Sequence, residues 1–240
     1  MTEFLFRDDA YLTEAEAVVI AVGRGGFELD RTVFYAASGG QPGDSGRVVA
    51  AGAEATVTGA VHPDGDRGRI LHLVAENAAL PTEGAAVRLE LDWARRHRLM
   101  RMHTGLHLLS VVLPFGVTGG SIGEDRGRLD FDMPEPPADV AALEARLNDL
   151  VDADLPVTAE WISDEALAAR PEMVKTMKVK PPVGQGRVRL IRIGAGSDPV
   201  DLQPCGGTHV RSTGEIGRLR IGKIEKKGRE NRRVALHFAD

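Results

Sequence analysis

The chain has 240 residues, 42% hydrophobic and 5% aromatic, a formal net charge of -5 and one cysteine. That length fits one large domain or two modest ones, with a core of mostly Ala, Val, Leu and Ile. An apolar run of about 18 residues is missing, so no membrane span is expected. The acidic N-terminus is not expected to be a signal peptide, a lone cysteine forms no internal disulfide, and together these features point to the cytoplasm.

Charge is unevenly spread. Residues 123–165 carry thirteen Asp/Glu against three Arg, whereas 170–192 carry seven Lys/Arg against Glu172 alone, and 211–240 carry nine Lys/Arg against four Asp/Glu. A local basic face can bind phosphates while the net charge is negative, although such segments are also ordinary solvated surface.

In chain order, residues 1–91 read as an all-β domain. Apolar and polar residues alternate at 16–22, 27–30 and 32–35, and shorter strands are expected at 47–49, 55–58, 69–73 and 87–91. Turn signals separate them, and short strands at close spacing predict a small antiparallel β-barrel. Within this half lies Ser38-Gly39-Gly40-Gln41-Pro42-Gly43-Asp44-Ser45-Gly46, too rich in Gly and Pro for regular structure. It is either a tight connection between strands or a backbone surface that a ligand or second domain approaches closely. In the second case Gly39 and Gly40 give access, and Gln41 and Asp44 supply polar contacts.

Residues 92–240 read as an α+β domain. A helix is expected from Asp92, its N-cap, to about Leu113, with Leu99, Met102, Leu106, Leu109 and Leu113 on one buried face. Arg95, Arg96, Arg98 and Arg101 leave the other side cationic, and Pro114 ends it. Residues 116–123 read as a loop and 128–132 as a strand. Val140, Leu143, Leu147 and Leu150 predict an amphipathic helix over 138–152. A strand at 157–162, a short helix at 164–170 and strands at 188–193, 219–221 and 234–238 complete a mixed, antiparallel pattern.

The helix carries His103-Thr104-Gly105-Leu106-His107. Residues four apart share one helix face, so the two imidazoles can hold one ion. The only cysteine stands in Cys205-Gly206-Gly207-Thr208-His209, a second pair at the same offset. Gly206 and Gly207 make that pair a loop rather than a helix turn. One thiolate and three imidazoles suit Zn²⁺, one per chain. Either pair alone is weak, since a helix histidine is more often hydrogen-bonded and a lone Cys is more often a small buried hydrophobe. Together they are specific. His62, His72, His97 and His237 show no partner pattern and read as structural or exposed. Four protein ligands close a tetrahedral zinc, as in structural sites. Catalysis would then require ligand exchange, a fifth position or a missing ligand, and spacing leaves these open.

These motifs resemble the two zinc motifs of the editing domain of alanyl-tRNA synthetases and of its free-standing AlaX-type relatives. The stretch from Phe34 through Gly46 is similar to the family's glycine-rich motif. Leu129-Asp130-Phe131-Asp132 and Gly228-Arg229-Glu230-Asn231-Arg232-Arg233-Val234 are similar to further family stretches, so the resemblance covers residues 34–234. It implies a small N-terminal barrel followed by an α+β editing domain of the threonyl/alanyl-tRNA synthetase type, in the medium-length class. It also implies a zinc-dependent aminoacyl-tRNA deacylase acting in trans, since the chain has no aminoacylation domain. The substrate would be tRNA(Ala) carrying serine or glycine, and a monomer is the expected state.

On this reading His103, His107, Cys205 and His209 hold the metal, and Thr104 and Thr118 offer hydroxyls to the substrate. Gly39, Gly40, Gln41 and Asp44 line it, and Lys223, Lys226, Lys227, Arg229, Arg232 and Arg233 meet tRNA phosphates. A zinc-stabilised nucleic-acid-binding module without catalysis is the alternative. A metalloprotease is disfavoured because Thr104, not Glu, follows His103.

Overall fold

The computed structural model describes residues 2–23, 25–50, 53–76, 78–177 and 186–239. The chain divides into two units between His97 and Arg98.

The first unit contains β1 (Glu3–Phe4), β2 (Glu14–Gly23), β3 (Gly26–Leu29), β4 (Arg31–Thr32), β5 (Gly46–Ala50), β6 (Ala53–Val61), β7 (Leu71–Val74) and β8 (Ala86–Leu91). Six of these close into a barrel in the order β2-β3-β7-β6-β5-β8, with β8 pairing back antiparallel to β2. The alternation in β2 sets its facing: Ala17 and Val19 are buried while Val18, Ile20 and Val22 are exposed, as the period of two requires. Phe27, Leu29, Val57, Ile70 and Leu89 fill the interior.

His72 lies in that interior, with Nε2 2.8 Å from Thr32 Oγ1 and Nδ1 3.2 Å from the Phe27 carbonyl. Burial pushes its pKa down to about 4. The ring is a neutral structural group.

The expected strand at 32–35 is much shorter. Only Arg31–Thr32 pairs, parallel to β1, while Val33, Phe34, Tyr35 and Ala36 are buried in the core outside any strand. Their apolar character reflects burial rather than a ladder.

Helix α1 (Trp93–Val112) begins in the first unit and continues into the second. Asp92 caps it by accepting from the Arg95 amide at 3.1 Å, satisfying one of the orphan donors of the first turn. Leu99, Met102, Leu106, Leu109 and Leu113 are buried. The solvent-facing side expected for the four arginines fails at Arg96, which is fully buried because the Asp44 carboxylate gives it a charged partner.

The second unit continues with β9 (Val117–Ser121), β10 (Arg126–Asp132), α2 (Val140–Asp152), β11 (Val157–Ser163), α3 (Asp164–Ala168), β12 (Arg187–Ile193), β13 (Asp201–Pro204), β14 (Leu219–Lys226) and β15 (Asn231–Phe238). One sheet runs β14-β15-β10-β9 and another β11-β12-β13, all antiparallel. The fold is therefore α+β.

Helix α1 packs on the four-stranded sheet. A β-carbon at Gly127 would lie 2.9 Å from side-chain atoms of Leu106 and Met102, so any larger residue there would make those side chains shift. Asn148 of α2 donates to the Leu219 carbonyl at 2.9 Å and accepts from its amide at 3.0 Å, fixing α2 to the start of β14.

Residues 117–121 form a strand where a loop is expected. Their small side chains carry no period-two signal, yet the backbone pairs with β10. No helix among the described residues is long and apolar enough to cross a membrane.

Candidate metal centre

Four side chains from two elements of the second unit converge. His103 and His107 come from adjacent turns of α1, and Cys205 and His209 from the loop after β13. Their ligand atoms all lie within 4.8 Å of one another, so the set can hold a metal ion. Cys205 Sγ is 3.5 Å from His103 Nε2 and 3.3 Å from His209 Nε2. The loop is shaped by its own backbone. The Cys205 amide donates to the Arg189 carbonyl at 3.1 Å, and Arg189 Nη1 donates to the Cys205 and Gly207 carbonyls at 3.0 and 2.9 Å.

Outer contacts orient two of the rings. His107 Nδ1 lies 2.9 Å from Asp201 Oδ2. That carboxylate is fully buried and also accepts from Gln203 Nε2 at 2.7 Å and Lys175 Nζ at 2.5 Å. Burial opposes its ionisation, but the bond to His107 and the charges of His107 and Lys175 hold its pKa down to about 2. An ionised carboxylate only accepts, so His107 carries a proton on Nδ1 and turns Nε2 toward the cluster.

Thr104 does the same for His209. Its hydroxyl donates to the Met100 carbonyl at 3.0 Å, lies 3.1 Å from His209 Nδ1 and accepts from the Val210 amide at 3.3 Å. A hydroxyl has one proton to give, so Nδ1–H of His209 is the donor and its Nε2 is free for a metal. Asp201, Lys175 and Gln203 carry no local sequence pattern. The one available signal was that Asp201 and Gln203 alternate in the strand just before the cysteine.

The charges suit a cation. Burial pushes the Cys205 thiol up, but the charges of His103 and His209 hold it well below the usual thiol range. Burial and the charge of His103 push His209 well below the usual imidazole range. Burial also opposes charge on His107, but the bonds to Asp201 and Cys205 outweigh it and raise its pKa to about 9, so an ion bound at Nε2 would displace a proton from that ring.

Residues 188–235 match the model of the threonyl and alanyl tRNA synthetase second additional domain, and residues 8–95 match that of class II (A) tRNA synthetases. The alanyl-tRNA editing protein AlaX-M of Methanosarcina acetivorans is 35% identical over 249 residues, with 100% of both chains covered. The chain belongs to the AlaX-type alanyl-tRNA editing proteins. AlaX-M of Methanosarcina barkeri is 36% identical over 250 residues, again with 100% of both chains covered. The alanine–tRNA ligase of Pyrobaculum arsenaticum is 36% identical over 237 residues, which are 94% of this chain and 25% of the ligase. The AlaX-type chain therefore spans a quarter of that enzyme.

The remaining residues singled out in this AlaX-type sequence fall into distinct groups. Thr104 is fully buried, and its one donor and two acceptor positions are all used. It positions His209 and has no hydroxyl to offer a substrate. Thr118 is half-buried in β9, donates to the Asp130 carbonyl at 3.1 Å and accepts from Asn231 Nδ2 at 2.5 Å. One acceptor position remains.

In the glycine-rich loop Ser38 and Gln41 exchange backbone hydrogen bonds of 3.1 and 2.9 Å. Between them Gly39 and Gly40 have φ of 58° and 84°, the pattern of a two-residue hairpin turn. Gln41 is buried. Asp44 is not a free polar contact. It is buried against Arg96, bonding Nε at 3.0 and 2.9 Å and also Nη2, and accepts from the Tyr35 amide at 2.6 Å. Arg96 further donates to the Val33 and Ala10 carbonyls at 2.7 and 2.9 Å. The pair is a clamp within the first unit.

The basic group divides too. Lys223, Lys226, Lys227 and Arg229 are exposed along the β14–β15 hairpin, with Lys227 2.8 Å and Lys223 3.6 Å from Glu225. Arg232 is buried and donates to the Pro134, Gly228 and Asn231 carbonyls. Arg233 clamps Asp130 through bonds of 2.8 and 2.9 Å. These two arginines serve the fold, and meeting a phosphate would cost them those bonds.

Proposed function

We propose that the chain hydrolyses, in trans, the ester joining a wrong amino acid to the 3′ end of tRNA(Ala), with serine as its first substrate and glycine as its second. We propose also that the site is built around one Zn²⁺ held by His103, His107, Cys205 and His209. The observation that carries this reading is the convergence of those four donors with two imidazoles oriented from behind. Zinc bonds of about 2.3 Å to sulfur and 2.05 Å to nitrogen, at tetrahedral angles, separate the two donor atoms by about 3.5 Å. The sulfur–nitrogen distances of 3.5 and 3.3 Å fit. A thiolate with three neutral imidazoles is a donor set that zinc favours.

When bound, zinc supplies a Lewis acid that positions the amine or carbonyl of the substrate. The protein does the rest. Asp201 and Thr104 hold His107 and His209 in the tautomers that face the ion. The spare acceptor position of Thr118 fits the hydroxyl of serine, which alanine lacks. Such a bond to a half-buried group is worth roughly 1–3 kcal/mol, or one to two decades of discrimination. Lys223, Lys226, Lys227 and Arg229 supply exposed charge for acceptor-stem phosphates. The reading carries a cytoplasmic site of action with it.

The test is deacylation of tRNA(Ala) charged with serine, glycine or alanine, by wild type and by His103→Ala, with zinc content measured in parallel. Fast release of serine and glycine, slow release of alanine and an inactive His103→Ala are expected. If folded, zinc-loaded protein releases none of the three, the editing reading fails and a non-catalytic zinc-stabilised binding module replaces it.

A further inference from the structure

Trp161 and Cys205 lie in one row of the three-stranded sheet. Trp161 of β11 pairs directly with Arg189 of β12. Leu190 pairs with Pro204, and the Cys205 amide continues that register by bonding the Arg189 carbonyl at 3.1 Å. Residues directly opposite in an antiparallel sheet share a face, and strands lie about 4.8 Å apart. Trp161, Arg189 and Cys205 therefore follow one another across one face, and the first and last Cα atoms are about 10 Å apart.

That face is cationic and carries an aromatic ring in reach of solvent. Trp161 is 38% exposed, and the exposed Arg187 holds its guanidinium 4.5 Å over the ring. Arg189 reaches from the same face to the Cys205 and Gly207 carbonyls. The neighbouring acid, Glu160, falls on the opposite face, where Arg192 bonds it at 3.2 Å. An aromatic ring beside guanidinium groups is what single-stranded nucleic acid uses: bases stack on the ring and phosphates meet the cations.

We infer that Trp161, with Arg187, is the subsite for the unpaired 3′-terminal nucleotides of the tRNA, two strand spacings away from the proposed metal ligand Cys205. The inference rests on the editing reading and deepens it. An aminoacyl group held at the metal leaves its ribose and base within a nucleoside's length of that ion, and the row places an aromatic platform at this reach. The base stacks against Trp161, and Arg187, now lying over the ring, takes the adjoining phosphate.

The experiment compares wild type, Trp161→Phe, Trp161→Ala and Arg187→Ala, all with zinc content checked. Trp161→Ala is expected to raise KM for Ser-tRNA(Ala) by about tenfold or more and leave kcat near wild type, with Trp161→Phe recovering most of the loss. Hydrolysis of serine methyl ester, which has no base, stays unchanged. Arg187→Ala flattens the salt dependence of tRNA binding by about 0.7 in slope.

Independently, an oligoribonucleotide ending in CCA should quench the tryptophan fluorescence of wild type but not of Trp161→Phe. That quench supports the subsite even if the deacylation test above goes against editing. Normal deacylation by wild type, with an unchanged KM in Trp161→Ala and no quench, overturns the subsite and leaves the editing function standing. Equal losses on tRNA and methyl ester overturn it as well.

Discussion

Replacing Asp201 by Asn should loosen the metal without unfolding the chain. The native carboxylate accepts three bonds, from His107 and Gln203 on Oδ2 and from Lys175 on Oδ1. An amide keeps one oxygen and puts an NH₂ group where the other stood. Whichever way it turns, a donor then faces a donor, either Lys175 or the His107–Gln203 pair. His107 loses the partner that fixes its tautomer, and losing such a contact typically weakens metal binding 10- to 100-fold, about 1.4–2.7 kcal/mol. Competition against a chelator of known affinity measures the change. Proton NMR of the zinc-loaded protein checks its cause, because the His107 Nδ1–H resonance should move or broaden while that of His103 stays. Zinc affinity equal to wild type, with both resonances in place, would refute the reasoning.

Asp44→Asn breaks a buried ion pair and should cost about 3–5 kcal/mol, read as a lower denaturant midpoint; lost kcat with unchanged stability would instead give Asp44 a role toward substrate. His72, with its pKa lowered from 6.5 to about 4, favours folding fully above pH 6.5, and this contribution is lost as pH falls through 4. The unfolding free energy should drop by about 3 kcal/mol across that window, and a His72→Gln variant that kept the same pH slope would contradict the assignment. Alanine at Lys223, Lys226 and Arg229 together should flatten the salt dependence of tRNA binding by about 2.7 in slope, measured by filter binding at several ionic strengths; an unchanged slope removes these residues from the interface.

Some of this was open to reading along the chain because it is local. Two histidines one helical turn apart, and a Cys and His straddling two glycines, are short-range patterns whose geometry follows from the backbone. The five leucine and methionine positions of α1 marked its buried face in the same way. The site's outer contacts are not local: Asp201 sits on β13, Lys175 after α3 and Thr104 inside α1, and only the fold brings them together. Charge alone also misled. Arg96, Arg232 and Arg233 read as surface cations, yet each has a specific acceptor supplied by a distant segment. The strand Val117–Ser121 escaped because glycine and small residues show no alternation even when their backbone pairs.

The four proposed ligands also have a topological consequence. Cys205 and His103 are 102 positions apart in the chain, and an ion held by both closes that stretch into a ring. A chain with one cysteine cannot close such a ring by sulfur–sulfur chemistry, so the ion becomes a removable cross-link. A closure of about a hundred residues restricts the unfolded chain by about 4.7 kcal/mol when a covalent bond makes it. The second unit should then respond to a chelator as small disulfide proteins respond to a reductant, losing mechanical integrity and activity in one event.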